Sequence, residues 1–259
     1  VRYKLLLLVL FPIVRVMPAA VVLAVYWGKN FSYEQLFIKV HTDLSVADDI
    51  FRRLQKDYLH QLMQLAESFE FRKHVQADDG IGISQLVSRL RENGRFSFLH
   101  LVDLEARWIH EAIPEGLDPR SLRSDSVVKA MNGTPAYGIE IFDRSALARE
   151  GLADQVELPL VPTLRAVPSD RQMEDRGMMI RAAYPVRDTQ GKVIAVLDGG
   201  VLLNGNFDLV DTIRDLVYGA GSLPEDSIGT VTVFLDDVRI STNVPHGPNE
   251  RALGTRVSQ

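Results

Sequence analysis

The sequence contains no cysteine in its 259 residues. That excludes disulfides, thiolate zinc sites, iron–sulfur clusters, covalently attached c-type haem and cysteine nucleophiles. It leaves the compartment open, because a chain without thiols is indifferent to the surrounding redox poise. Collagen-like and low-complexity tracts are also missing. With 46% hydrophobic and 24% charged residues, the chain is globular rather than disordered and has enough apolar material for a core. Acids are absent from the first thirty residues, where Arg2, Lys4, Arg15 and Lys29 stand alone. Against a net charge of −5, those four cations leave −9 on residues 31–259. An acidic body lacks the electrostatic footprint that nucleic acid requires, so no nucleic-acid partner is expected.

Catalytic signatures are missing as well. Gly28-Lys29 and Gly191-Lys192 lack the upstream glycine and the following hydroxyl residue of a phosphate loop. Gly80-Ile81-Gly82 lacks the third glycine of a dinucleotide fingerprint, and His110-Glu111 lacks the second histidine of a zincin. Neither a G-x-S-x-G elbow nor a kinase catalytic loop occurs. His41, His60 and His74 lie too far apart on one helix to share a metal, and His100 and His110 meet only as a lone pair across a hairpin. We expect no catalytic site, no metal and no cofactor in this chain.

What is present begins with an apolar run over residues 5–27, opening at Leu5 and closing at Trp27. Its length suffices to cross a hydrocarbon layer of about 30 Å as a helix. Fourteen of its residues are Leu, Ile, Val or Phe. Each favours insertion by about 0.3–0.6 kcal/mol, whereas Arg15 opposes it by about 2.5–3.5 kcal/mol. Pro12 and Pro18 loosen the helix, and Tyr26 and Trp27 suit an interface. The balance favours an uncleaved anchor, with a cleaved signal peptide as the competing reading. The flanking cations Arg2 and Lys4 place the N-terminus in the cytoplasm and the body outside it.

Beyond the anchor, Leu36, Val40, Leu44, Ala47, Phe51, Leu54, Tyr58, Leu62, Leu65 and Phe69 recur at spacings of three and four, the period of an amphipathic helix. Ser32 and Gln35 fit a capping box, so the helix either restarts there or runs on from the membrane. Spanning 32–74 it measures roughly 60 Å. That is longer than a small core needs, and suits a rod on which two copies pair. Asp78-Asp79-Gly80 ends it with turn chemistry.

The remaining pattern predicts a helix at 83–93, a hairpin of strands 95–103 and 107–112, and a helix at 121–131. A strand at 137–142 and a short helix at 145–150 follow, then a long loop over 151–176. Strands at 177–187 and 192–203 flank the turn Asp188-Thr189-Gln190-Gly191, and a helix at 205–218 takes Asn204 as its N-cap. A last hairpin, 230–235 with 238–243, turns at Asp236-Asp237. Adjacent hairpins with interspersed helices give an α+β class with an antiparallel sheet.

Four stretches carry a family resemblance: LFIKVHTDLSVADD (36–49), FLHLVDLEARWIHEA (98–112), GMMIRAAYPVRDTQGKVIAVLDGGVLLN (177–204) and GTVTVFLDDVRISTNVPHGPNERALGTRVS (229–258). Together they resemble the extracytoplasmic double Cache sensor region of bacterial transmembrane histidine kinases. The resemblance implies a PAS-like sheet with flanking helices behind a transmembrane helix and a long amphipathic helix. It divides the chain into a membrane anchor (1–30), a stalk helix (31–77), a membrane-distal Cache-like module (78–227) and the truncated start of a membrane-proximal one (228–259). It implies a signal sensor in the bacterial inner membrane that passes small-molecule binding across the bilayer as a helix displacement. A chemoreceptor or a cyclic-dinucleotide synthase would use the same region, and a structural dimerisation or envelope-interaction module is the reading from a different class.

Strand parity singles out Arg181, which shares a face with Met179 and Ala183 and suits a carboxylate-bearing signal. Asp198 interrupts its apolar strand in the same way and is either a second ligand contact or the partner of Arg181. Trp108, His110 and Tyr137 form either an aromatic wall of the site or ordinary core. Tyr184 takes the face opposite Arg181, and Arg165 in the long loop is a candidate lid contact.

Overall fold

The computed structural model describes residues 2–105, 107–109, 124–161, 163, 166–219, 229–248 and 250–257. By its contacts the chain divides into two units, residues 1–49 and 50–259. The described part of the first is helical throughout and belongs to α1 (Arg2–Glu67). No restart occurs at Ser32, and the expected span at 5–27 is helical backbone. Among the described residues, no helix is long and apolar enough to cross a membrane.

In the second unit the long helix ends sooner than its apolar period suggests. Ser68 takes an extended backbone (φ −64°, ψ 141°) and its hydroxyl accepts the N–H of Phe71, capping a new helix, α2 (Phe69–Gln76). Phe69, counted on the apolar stripe, is consequently 79% exposed, while Phe71 is fully buried. Asp79 caps α3 (Gly80–Asn93) through the N–H of Gly82, so this helix opens three residues before the expected start.

Four antiparallel strands form the main sheet: β1 (Phe98–Val102), β2 (Ala136–Phe142), β5 (Gly177–Arg187) and β6 (Val193–Leu202), in the order β1-β6-β5-β2. The central pair β5–β6 is buried along nearly its whole length, which is why both strands read as apolar runs. Their turn needs Gly191 at φ +83°, and Asp188 Oδ1 accepts the N–H groups of Gln190 and Lys192. The strand expected at 107–112 is a single bridge, Trp108 to Val102, within the described residues. Residues 110–123 lie outside them.

Each face of the sheet has its own cover. On one, α3 packs on β1, and Phe96 meets both Tyr58 of α1 and the backbone at Gly199. On the other lie α4 (Asp125–Met131), α5 (Arg144–Arg149) and α6 (Ala153–Val156). This second face carries two apolar clusters. Phe98, Phe142, Met179 and Leu202 pack with Leu147, Leu152 and Val156, whereas Val102, Ala183 and Val196 pack with Val127 and Ala130.

The long loop expected at 151–176 is not structureless. It contains α6 and a two-residue pairing of β3 (Leu158–Pro159) with β4 (Met173–Glu174). Helix α7 (Phe207–Val217) is capped by Asn206, whose Oδ1 accepts the N–H of Leu209; Asn204 instead ties Met178 and Arg176. The last hairpin, β7 (Thr232–Leu235) with β8 (Val238–Thr242), buries Leu235, Val238 and Ile240 against Leu158 and Leu160. Gly254 passes so close to Pro159 that a side-chain carbon there would sit 2.2 Å from its carbonyl oxygen. Arg251 grips Asp211 of α7 with two hydrogen bonds of 3.0 and 2.8 Å. The described residues on either side of the boundary expected between 227 and 228 both belong to the unit 50–259.

Candidate functional site

Period-two alternation along each strand places the middle residues of the α4–α6 face in one row between the two apolar clusters. That row is charged. In register, His100 of β1 faces Asp198 of β6, and Arg181 of β5 lies opposite Gly200 of β6 and Gly138 of β2. Arg181 donates from Nε and Nη2 to the two oxygens of Asp198 at 2.8 and 2.6 Å, and from Nη1 to Glu140 Oε2 at 2.9 Å. The other Glu140 oxygen accepts from Ser126 of α4 at 3.0 Å. The guanidinium lies over the rings of Phe98 and Phe142, 5.9 and 5.5 Å from their centroids. Gly200 makes room for that stack, since a side-chain carbon there would come within 2.2 Å of the Phe98 ring.

A second pair adjoins the first. The His100 ring stacks on Trp108 at 4.1 Å, and its Nε2 meets Glu150 Oε2 at 2.7 Å. Glu150 follows directly on α5, whose N-cap is Asp143. The N–H of Ala146 and the hydroxyl of Ser145, both bonded to Asp143, hold its carboxyl below the usual carboxylate range. Burial disfavours the charge on Arg181, but the facing Asp198 and Glu140 outweigh it and drive its pKa up, so the cation is locked in.

Above this row opens a cavity of about 310 Å³. Its polar lining comprises Ser124, Glu140, Asp143, Ser145, Arg149, Glu150 and Arg181. Of the residues anticipated from sequence, Arg181 reaches the cavity and Asp198 stands behind it as its ion-pair partner. Trp108 supports His100 without lining the cavity. Tyr137 and Tyr184 sit on the opposite face of the sheet by register, so the aromatic wall of Trp108 with Tyr137 is not assembled. Tyr184 instead donates its hydroxyl to Glu67 at the end of α1, 2.5 Å away. His110 and Arg165 lie outside the described residues.

The residues that sequence reasoning missed are His100, Glu140, Arg149 and Glu150. Glu140 had a signal, a lone acid in the strand AYGIEIF, whereas the Glu150–His100 pairing spans fifty positions and leaves none. Among the described residues no group of three or more His, Asp or Glu side chains is placed to hold a metal. The acids at the cavity are bonded to cations, hydroxyls, a backbone N–H or a histidine.

Residues 201–259 match the family model of single Cache domain 3. The Cache match begins in β6 and runs through α7 and the β7–β8 hairpin. No match to the sequence is found among curated proteins. Among solved structures it is similar to the periplasmic domain of Vibrio cholerae LuxQ, with 12% identity, 81% of each chain covered and a TM-score of 0.46. It is also similar to the E. coli DcuS sensor domain (16% identity, 67% of this chain and 98% of that one, TM-score 0.38). A third is the ligand-binding domain of the Pseudomonas aeruginosa amino acid chemoreceptor PctC in complex with GABA (16%, 68% and 63%, TM-score 0.39). The chain is α+β, with an antiparallel sheet that has helices on both faces.

Proposed function

We propose that this chain is the extracytoplasmic ligand-sensing region of a membrane-bound sensor histidine kinase. One observation carries the reading: strand β5 touches both the cavity and the long helix. Arg181 faces the cavity, and Tyr184, three residues on and on the other face, holds Glu67 at the end of α1. A ligand that moves Arg181 therefore moves the strand that anchors the helix. A tenfold change in output requires only about 1.4 kcal/mol of differential binding between two packings.

The membrane anchor is part of the same proposal. The described apolar side chains Val21, Val22, Leu23, Tyr26 and Trp27 are all exposed, as they would be on a helix meant for lipid. In this reading the N-terminus is cytoplasmic, the body lies outside the inner membrane, and two copies pair through the long helix. The chain itself carries out no catalysis; the kinase activity belongs to the parent protein.

Thermal denaturation of the purified chain against a broad panel of small metabolites tests the sensor reading. A compound at a hundred times its Kd is expected to stabilise the fold by about 2.7 kcal/mol. A broad panel without a single shift would overturn the reading. Histidine phosphorylation of the full-length parent by ATP, altered by the compound that binds, tests the kinase assignment.

A further inference from the structure

A second cleft, of about 170 Å³, is walled by Leu54 and Tyr58 of α1, Val201 of β6 and Leu209 of α7. Strand parity turns Asp198 and Gly200 towards α4–α6 and Val201 the other way, so the sheet separates this cleft from the cavity above. Arg95 stands at its mouth with φ +56°, a left-handed conformation that glycine adopts far more cheaply. The glycine is next door instead. Gly94 has φ −81°, and a side-chain carbon there would come within 2.7 Å of the Phe96 ring. The turn therefore carries a guanidinium where a glycine would be less strained. Arg95 Nη1 donates to Asp208 Oδ2 at 3.2 Å, while its Nε and Nη2 and the other Asp208 oxygen bond to none of the described residues. The Tyr58 hydroxyl on the inner wall likewise bonds to none of them. Burial, and then Asp57, push its ionisation up, so it stays a protonated donor.

The mouth thus carries one charge of each sign, side by side. An anion gains Arg95 but faces Asp208, and a cation gains Asp208 but faces Arg95. A neutral group that donates and accepts at once suits both without breaking their pair. Beneath it the walls are apolar, and a space of about 150 Å³ accommodates a benzene ring. We propose that this cleft is a second ligand site, which takes a neutral single-ring molecule with one polar group, such as a phenol or a primary carboxamide. The ring lies on Leu54, Val201 and Leu209 beside Tyr58, and the polar group meets Arg95 and Asp208. An occupant here touches the long helix directly, whereas the cavity above α4–α6 reaches it through β5. The helix therefore takes two separate inputs.

Isothermal titration of the purified chain with phenol, benzamide, benzoate and benzylamine tests this. Phenol or benzamide is expected to bind tightest. Thr212 is exposed on α7 where it lines the cleft, so Thr212→Phe fills the space and should weaken that binding at least tenfold. Arg95→Gly should weaken it at least threefold without lowering the melting temperature, because glycine accepts φ +56° freely. Melting temperatures show that both variants fold. A charged ring as the tightest binder, no binding by any of the four, or an unchanged Kd in either variant would overturn the second site. Such a failure leaves the sensor reading intact, since that reading rests on the cavity above α4–α6 and is tested by the metabolite panel.

Discussion

At the scale of single residues, the buried Arg181–Asp198–Glu140 group decides whether the cavity floor exists. Its members were brought out of water together, and removing one leaves the others charged without compensation. Arg181→Met is therefore expected to cost about 3–5 kcal/mol in urea denaturation, the range for breaking a buried ion pair. The double variant Arg181→Met/Asp198→Leu should recover part of that loss, because it also removes the more deeply buried stranded charge and leaves only the partly exposed Glu140 without its cation. A double variant as unstable as the single one would refute this account. Gly200 is the second sensitive position. Gly200→Ala drives a methyl group into the Phe98 ring and should destabilise by about 1–3 kcal/mol.

Among elements, the contact of β5 with the end of α1 should show itself in alkali. Burial, and then the hydrogen bond to Glu67, push the Tyr184 hydroxyl up to about 12. The folded state thus prefers the protonated phenol. Its contribution is complete below the ordinary tyrosine range near 10 and disappears as the pH rises towards 12. The stability difference between wild type and Tyr184→Phe, measured by denaturant titration across that window, is expected to shrink as pH climbs. A constant difference would contradict the bond. The break at Ser68 shows why sequence reading misjudged the stalk. Leu62, Leu65 and Phe69 keep helical spacing straight through it, because periodicity records which side is apolar and not where the backbone turns. The pairing of β5 with β6, by contrast, was legible as two strands and their turn, though not the register shift between Val186 and Arg187. Both are apolar runs flanking an Asp-Thr-Gln-Gly turn, and that turn chemistry is local.

For the whole molecule, the C-terminal hairpin is joined to the body by ion pairs as well as by Leu235, Val238 and Ile240. The fully buried Glu174 receives Arg171 and Arg176, and Arg176 also reaches Asp236 in the hairpin turn. Burial opposes the charge on Glu174, but the two arginines prevail and hold its carboxyl below the usual range. Its stabilisation is present above the ordinary glutamate pKa, near 4.3, and is lost as the pH falls through the lowered value. The stability gap between wild type and Glu174→Gln should accordingly narrow under acid, as followed by circular dichroism melts. None of this tethering was legible beforehand, since β3 and β4 are two residues each and ion pairs across sixty positions have no local signature. The class of fold was legible, because alternation and turn residues are local; of the cavity lining only Arg181 was, because the rest comes from β2, α5 and the start of α4, far apart in sequence.

The sheet itself ends differently on its two sides. Outside β1, Trp108 bridges to Val102 and the N–H of Ile109 bonds to Leu101, so that border is partly closed. Outside β2, no described strand pairs, and Tyr137, Ile139 and Ile141 stand exposed in a segment without lysine or proline. Such a border has direction: among the described strands of this sheet, β2 is the one whose outer ladder is open along its length. Antiparallel pairing of β2 with its own copy about Ile139 would use up both ladders at once, so growth by that route stops at two.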